Sequence, residues 1–419
     1  MFGFSPKTSV DEDITPVRKR PSLDFSLTGL IYIAMMLFMG LAAINSQANL
    51  LFGVFGLMIG ILLVSGIISR MVLRNLDVSR RLPENGVVGQ PMTVSYEFTN
   101  RKRFWPSLSI TLAELDGVEA FQKQPHGYML HAAARMTATV PVELVPKRRG
   151  LYALGRHQIS TSFPFGFIKR AFERASKDKI LIFPALAFVS PQFLNRMMSA
   201  ESSGPMMRPR RGGMDEFYGL KEHREGENPR WIYWKRSARV GTLVAKEMTH
   251  VSPPRILMLV DTFTEDESRP AQAEVERCIA MAGSLAHHAI EQNLSLGLVC
   301  WTRDGWLSVT PNRGKRHRAD LLTALAQLPP NHTKRSNALL DEAASLQKSG
   351  TTSVLFTPQN VRLGLGETAR GGMMLVSSQD PLTQSWFHFE HTIDFMHCAP
   401  LSDMSLSDSN LTTVKAESI

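Results

Sequence analysis

Two long apolar stretches near the N-terminus, carrying a single charge between them, constrain this chain more than any other feature. Leu27 to Ala48 reads LTGLIYIAMMLFMGLAAINSQA, and Leu50 to Leu73 reads LLFGVFGLMIGILLVSGIISRMVL. The first charge in either is Arg70. At 1.5 Å rise per residue, about twenty helical residues cross the ~30 Å hydrocarbon layer of a bilayer. Both stretches are apolar all round, whereas a helix on the surface of a soluble core keeps one polar face. A cleavable signal peptide does not fit, because two spans follow one another and the basic flank lies well inside the chain. Only an uncharged turn around Asn45–Asn49 separates them, so residues 27–73 are expected to form a tight transmembrane hairpin. Arg18, Lys19 and Arg20 precede it, and Arg70, Arg74, Arg80 and Arg81 follow it. The positive-inside bias then puts both the N-terminal tail (1–26) and everything after residue 75 in the cytoplasm, with these seven basic residues at the lipid surface.

The remainder is long enough for two further domains in a chain of 419 residues. Met92, Val94, Tyr96 and Phe98 alternate with Thr93, Ser95, Glu97 and Thr99; Leu108, Ile110 and Leu112 alternate with Ser109 and Thr111. Met136, Ala138, Val140, Val142 and Leu144 continue the pattern. Period two over short segments predicts antiparallel sheet with one wet face, here an all-β sandwich over 75–185. Residues 186–214 read as a linker, because MMSAESSGPMMRPRRGGM (197–214) has no periodicity. In 215–400 the period changes. Arg255–Asp261 and Leu294–Trp301 read as buried strands, with a helix at 271–293 between them. Helices near 317–328 and 336–348 and strands at 353–356 and 373–377 follow. Alternating strands and helices predict an α/β domain on a parallel sheet, whose ligands sit beyond the carboxyl ends of the strands, beside Asp261. The last residues, 401–419, form a polar tail.

Tyr218–Arg239, YGLKEHREGENPRWIYWKRSAR, is too charged for a core strand and too aromatic for a disordered tail. With Arg80-Arg81-Leu82-Pro83, Lys147-Arg148-Arg149-Gly150-Leu151-Tyr152 and Phe163-Pro164-Phe165-Gly166, it resembles the Domain of Unknown Function 58 family of bacterial membrane proteins. Arg224, Gly226, Arg230, Ile232, Trp234, Ser237, Ala238 and Arg239 fit that family's signature directly. His223 replaces the usual tyrosine, and Glu227 the usual aspartate. The resemblance implies a von Willebrand factor A-like (Rossmann-like) C-terminal domain, a place in the bacterial inner membrane, and a MoxR-type AAA+ ATPase as partner. It brings no catalytic activity.

Several chemistries find little support. There is no GxxxxGK[ST] phosphate loop and no GxSxG elbow, and the three cysteines lie in apolar surroundings. Nucleic acid is tempting at a net charge of +9, but Glu222, Glu225 and Glu227 offset the arginines of the signature. A von Willebrand A module can hold Mg²⁺ through Asp-x-Ser-x-Ser, and here the strand ends Asp261-Thr262-Phe263-Thr264-Glu265, so phenylalanine and glutamate take the serine positions. His388, Glu390, His391, Asp394 and His397 alternate with aromatics rather than converging as zinc ligands. The expectation is therefore a non-catalytic, cofactor-free scaffold in contact with the bilayer and a protein partner. The alternative is a metal-dependent enzyme or metal-gated module centred on Asp261. Within the signature, arginine beside glutamate and tryptophan fits two uses: a polar network locking the segment onto the α/β domain, or a surface recognised by a partner.

Overall fold

The computed structural model describes residues 22–202, 210–224, 228–250, 255–264, 266, 268–302, 305–330, 339–341, 351–359, 373–389 and 393–398. After a short strand β1 (Ser22–Phe25) come helices α1 (Leu27–Ser46) and α2 (Asn49–Leu73), both long and apolar enough to cross a membrane. Ser26 caps α1, accepting a hydrogen bond from Gly29 N at 3.0 Å, and Gln47 in the left-handed region ends it. The hairpin closes where Gly40 leaves room for the Phe55 ring.

The strand-rich region that follows contains two sheets. One has the order β2-β4-β7, built from β2 (Leu76–Arg81), β4 (Met92–Asn100) and β7 (Thr137–Leu144). The other has the order β1-β9-β8-β5-β6, with β5 (Ser107–Glu114), β6 (His126–Ala132), β8 (Gly150–Thr161) and β9 (Ile168–Phe183); β3 (Asn85–Val87) lies parallel to β9. Inward residues of both sheets, Val94, Tyr96 and Phe98 against Ile110, Leu112, Ile159 and Ile180, fill one core. Alternation is therefore the correct signal here, because each strand has one face on that core.

Arg80 departs from its expected place at the lipid surface. Its side chain is buried between the sheets, donating to Glu114 at 2.7 Å, to Asp178 at 2.8 Å and to the Leu154 carbonyl. Tyr96 adds a hydrogen bond to the same Glu114 carboxylate at 3.0 Å. A guanidinium can be buried this deeply only because carboxylates and a carbonyl meet its donors.

The expected linker is also partly structured. After β10 (Phe188–Val189), helix α3 (Pro191–Ser202) buries Phe193, Leu194 and Met197 in the C-terminal core. Next come β11 (Arg210–Glu222), α4 (Trp234–Val240) and β12 (Val244–His250), where β11 and β12 form a two-stranded ribbon.

The C-terminal sheet has the order β15-β14-β13-β16-β17, from β13 (Arg255–Val260), β14 (Ser295–Thr302), β15 (Gly305–Asn312), β16 (Thr351–Thr357) and β17 (Met373–Ser377). Four strands are parallel, and β15 returns antiparallel at the edge, so the sheet is mixed rather than all-parallel. Helices α5 (Arg269–Glu291) and α6 (Lys315–Gln327) bury Ile279, Leu285, Leu321 and Leu325 against it. Of the helix expected at 336–348, only 339–341 lie within the described residues, and the polar tail lies outside them. The short helices α7 (Pro381–Gln384) and α8 (Phe395–Cys398) and strand β18 (Phe387–His388), which pairs with β10, complete the domain.

The two domains share buried surface. Ala273 and Ala280 of α5, with Phe395 and Cys398 of α8, join the same core as the strand-rich domain. Arg149, just before β8, reaches Glu276 of α5 at 3.1 Å and also donates to the Leu328 carbonyl, with both charged side chains buried.

Candidate functional site

The signature segment is built on the ribbon. Glu222 pairs with Val244 and Lys221 with Ala245, and the chain between them folds back over β12. Asn228 caps a 3-10 turn at Pro229–Trp231, its Oδ1 accepting from Arg230 N at 3.0 Å. Ile232 bridges to Ala245, and Tyr233 N donates to the Val244 carbonyl at 2.8 Å. Helix α4 follows, ended by Gly241 at φ 78°, a left-handed conformation that glycine adopts without penalty. Ser237 ties the helix to the ribbon: its hydroxyl donates to Tyr233 O at 3.1 Å and accepts from Val244 N at 2.9 Å. Lys246 lies 5.2 Å from the centre of the Tyr233 ring.

These contacts divide the signature residues into two sets. Ile232 and Ser237 are buried and hold the lobe together. Arg224, Arg230, Trp234, Ala238 and Arg239 are exposed, Trp234 to 64%. Gly226 and Glu227 lie outside the described residues. Among the described residues, the lobe's buried apolar side chains Ile232 and Ala245 belong to none of the hydrophobic core clusters. The expected locking network of Arg224, Arg230, Trp234 and Arg239 against the α/β domain is therefore not formed among the described residues. Lys235 and Arg236, which the motif did not single out, are exposed beside them. Between Asn228 and Lys246 the sequence carries five basic residues, Arg230, Lys235, Arg236, Arg239 and Lys246, and no acidic one. The positive sign of this face was hidden because Glu222, Glu225 and Glu227 all precede it.

The second candidate lies beyond the carboxyl ends of β13 and β16. The chain runs from β13 to β14 on one side and later returns to β16 on the other, so the strand order reverses between these two neighbours. A cleft of about 390 Å³ opens there, lined by Phe263, Thr264, Asp266, Glu274, Gln359 and Gln379, among others. Asp261, two residues before Phe263 of the lining, is buried. Its carboxylate accepts from Phe263 N at 2.9 Å and from the Thr357 hydroxyl at 3.1 Å, and its own N–H donates to the Phe356 carbonyl at 2.8 Å. These bonds join the ends of β13 and β16. Cys278 lies beneath, its thiol directed at the Asp261 carbonyl at 3.6 Å. Burial, then the nearby Asp261, Glu274 and Glu276 carboxylates, push that thiol well above its ordinary range, so it stays protonated and is a poor nucleophile. At the rim, hydrogen bonds from Ser268 hold the Asp266 carboxyl below its usual range.

The donor set suits Mg²⁺ poorly. Phe263 places a buried ring where an oxygen ligand is wanted, and both Asp261 carboxylate oxygens already accept protein hydrogens. Among the described residues no three His, Cys, Asp or Glu side chains gather as a metal site. Of the histidine-rich run, His388 is exposed on β18, while Glu390 and His391 lie outside the described residues.

No curated protein matches the chain. A family model described as Protein of unknown function DUF58 matches residues 220–358, from the last residues of β11 through the lobe and on past β16. Those residues, about a third of the chain, are a DUF58 domain.

Proposed function

We propose that the chain is a non-catalytic scaffold, anchored by its hairpin in the bacterial inner membrane, that presents the 218–239 lobe to a protein partner in the cytoplasm. One observation carries this reading: Trp234 is largely exposed on a short helix with Lys235, Arg236 and Arg239, on a lobe outside the hydrophobic cores. Among the described residues, Trp234 packs into none of the hydrophobic cores. Tryptophan and arginine are the residues that most often dominate binding energy at protein interfaces. The excess of positive charge suits an acidic face on the partner and speeds encounter with it.

On this reading both termini lie in the cytoplasm, as the basic flanks of the hairpin favour. The two core-sharing sheets act as a sandwich-like spacer, and the mixed sheet acts as a von Willebrand A-like platform for the lobe. The partner that best suits the family resemblance is a MoxR-type AAA+ ATPase.

The test is capture of a purified MoxR-type ATPase from the same cell by the full-length protein in detergent, beside the double variant Arg230→Ala/Trp234→Ala. Both residues are exposed, so the variant is expected to unfold at an unchanged midpoint. Capture by the native chain and its loss in the variant support the lobe as the recognition surface. Equal capture by both assigns binding elsewhere, and no capture by either removes this ATPase as the partner.

A further inference from the structure

The end of the strand-rich domain nearest the hairpin exposes large aromatic side chains. Two loops meet there, 101–105 leading into β5 and 163–167 following β8. They are neighbours because Ile110 pairs with Thr161, and the Thr161 hydroxyl donates to the Ser109 carbonyl at 2.8 Å. Their sequences are Arg-Lys-Arg-Phe-Trp and Phe-Pro-Phe-Gly-Phe. Phe104 is 76% exposed, Trp105 57% and Phe165 50%.

Both loops are fixed to the hairpin rather than free. Lys102 is buried, and its ammonium donates to the carbonyls of Met71 at 3.2 Å and Val72 at 2.5 Å, the last turn of α2. Ser107 adds a hydrogen bond to Val72 O at 3.1 Å, and Arg101 N donates to Asn75 O at 3.0 Å. Asn100 holds the loop's shape from within, donating to the Trp105 carbonyl at 3.0 Å and accepting from Lys102 N at 3.1 Å. The second loop reaches further along the hairpin. The Phe167 ring stacks on Tyr32 at 4.2 Å, and Ile168 packs beside Gly66. Tyr32 lies five residues inside α1 and Gly66 seven residues from the end of α2, so the loop overlaps the apolar helices by roughly 8–10 Å.

A loop at that level meets the membrane boundary, where unpaired backbone groups are costly. Several of its polar groups are correspondingly paired. Ser26 donates from its N–H to the Phe167 carbonyl at 3.1 Å and from its hydroxyl to the Gly166 carbonyl, and Gly166 N donates to Ser162 O at 2.8 Å. Around these rings stand exposed arginines at the same end: Arg70, Arg74, Arg101 and Arg103, the last with its guanidinium 5.0 Å from the centre of the Phe104 ring.

We infer that loops 101–105 and 163–167 form an interfacial wedge, with Phe104, Trp105 and Phe165 entering the boundary between headgroups and acyl chains of the membrane the hairpin crosses. Arg70, Arg74, Arg101 and Arg103 meet anionic headgroups around them. The occupant follows from continuity, since Phe165 stacks on Phe167 at 5.7 Å and Phe167 on Tyr32 of the apolar helix α1. The wedge fixes the tilt of the strand-rich domain on the membrane and so the height at which the lobe is presented. It rests on the reading of residues 27–73 as a membrane hairpin.

The test uses full-length protein reconstituted into phosphatidylcholine–phosphatidylglycerol vesicles, with an environment-sensitive fluorophore on one introduced cysteine at a time. The three native cysteines are buried, and a labelled native chain sets the background. Phe165→Cys and Trp105→Cys report the wedge. Leu37→Cys reports the middle of α1, and Leu151→Cys reports an exposed site roughly 33 Å along β8 from the wedge. Doxyl-lipid quenching of the two wedge labels at half or more of the Leu37 value, with none at Leu151, is the expected result. Wedge labels that behave like Leu151 while Leu37 is quenched overturn this inference alone. An unquenched Leu37 label overturns the membrane hairpin, and the wedge with it.

Discussion

Replacing Arg149 by methionine tests whether the two domains are joined by charge as well as by apolar packing. The native guanidinium sits 3.1 Å from Glu276 and also donates to the Leu328 carbonyl, and both charged side chains are about 5% exposed. Methionine fills much of the same volume but leaves a carboxylate buried without its cation. Breaking a buried pair from one side costs about 3–5 kcal/mol, most of it the penalty on the charge left behind. The sign of the pH dependence follows from Glu276. Burial raises its carboxyl above the ordinary value of 4.5, and Arg149, then Arg148, partly offset that rise. Without Arg149 the folded-state value rises further while the unfolded one stays put. The folded state then binds more protons than the unfolded state above that ordinary value, so stability falls as pH rises. The deficit of Arg149→Met is therefore expected to be small at pH 4 and to grow through neutrality. Urea titration of the protein in detergent, followed by tryptophan fluorescence, measures it. A double-mutant cycle with Glu276→Gln should return a coupling of at least ~1 kcal/mol, since the two groups touch. A deficit below ~1 kcal/mol at pH 8, or one that does not vary with pH, would refute the argument.

Two further perturbations address other links. His157 is buried, neither ring nitrogen has a protein partner among the described residues, and burial, with Arg80 and Arg174 nearby, lowers its value from 6.5 to about 4. Between those values the unfolded state binds more protons, so the native chain should lose up to about 3 kcal/mol as pH falls from 6.5 to 4. His157→Phe should flatten that limb of the pH–stability curve, and an unchanged limb would place the acid sensitivity elsewhere. Gly29 lies against the Phe167 carbonyl, where any Cβ would collide with backbone. Gly29→Val should displace the 163–167 loop from α1 and expose Ser26 and neighbouring amides to faster hydrogen exchange in vesicles, whereas native-like protection would show that the contact is dispensable.

What could be read from the sequence, and what could not, separates along the range of the interactions involved. The hairpin and the alternating strands were legible because apolar runs and period two are local, and a residue's neighbours in sequence decide them. Edge strand β15 carried the same signal, with Leu307 and Val309 against Ser308 and Thr310, but the adjacent apolar pair Trp306-Leu307 and the proline at 311 interrupt the alternation. Helix α3 was harder: Phe193, Leu194 and Met197 have helical spacing, yet the glycine, proline and serine that follow dominate the window. Arg80 shows where local reading must fail. Near a membrane hairpin an arginine is first assigned to lipid, and only Glu114 and Asp178, 34 and 98 residues away in the chain, turn it inward. The signature segment poses a different difficulty. Its mixture of arginine, glutamate and tryptophan is equally suited to a buried network and to a recognition surface, because both uses exploit the same bidentate and stacking geometry. What separates them is which body the segment packs against, and that is set by long-range pairing: Ile232 bridges to Ala245 of β12 in the β11–β12 ribbon.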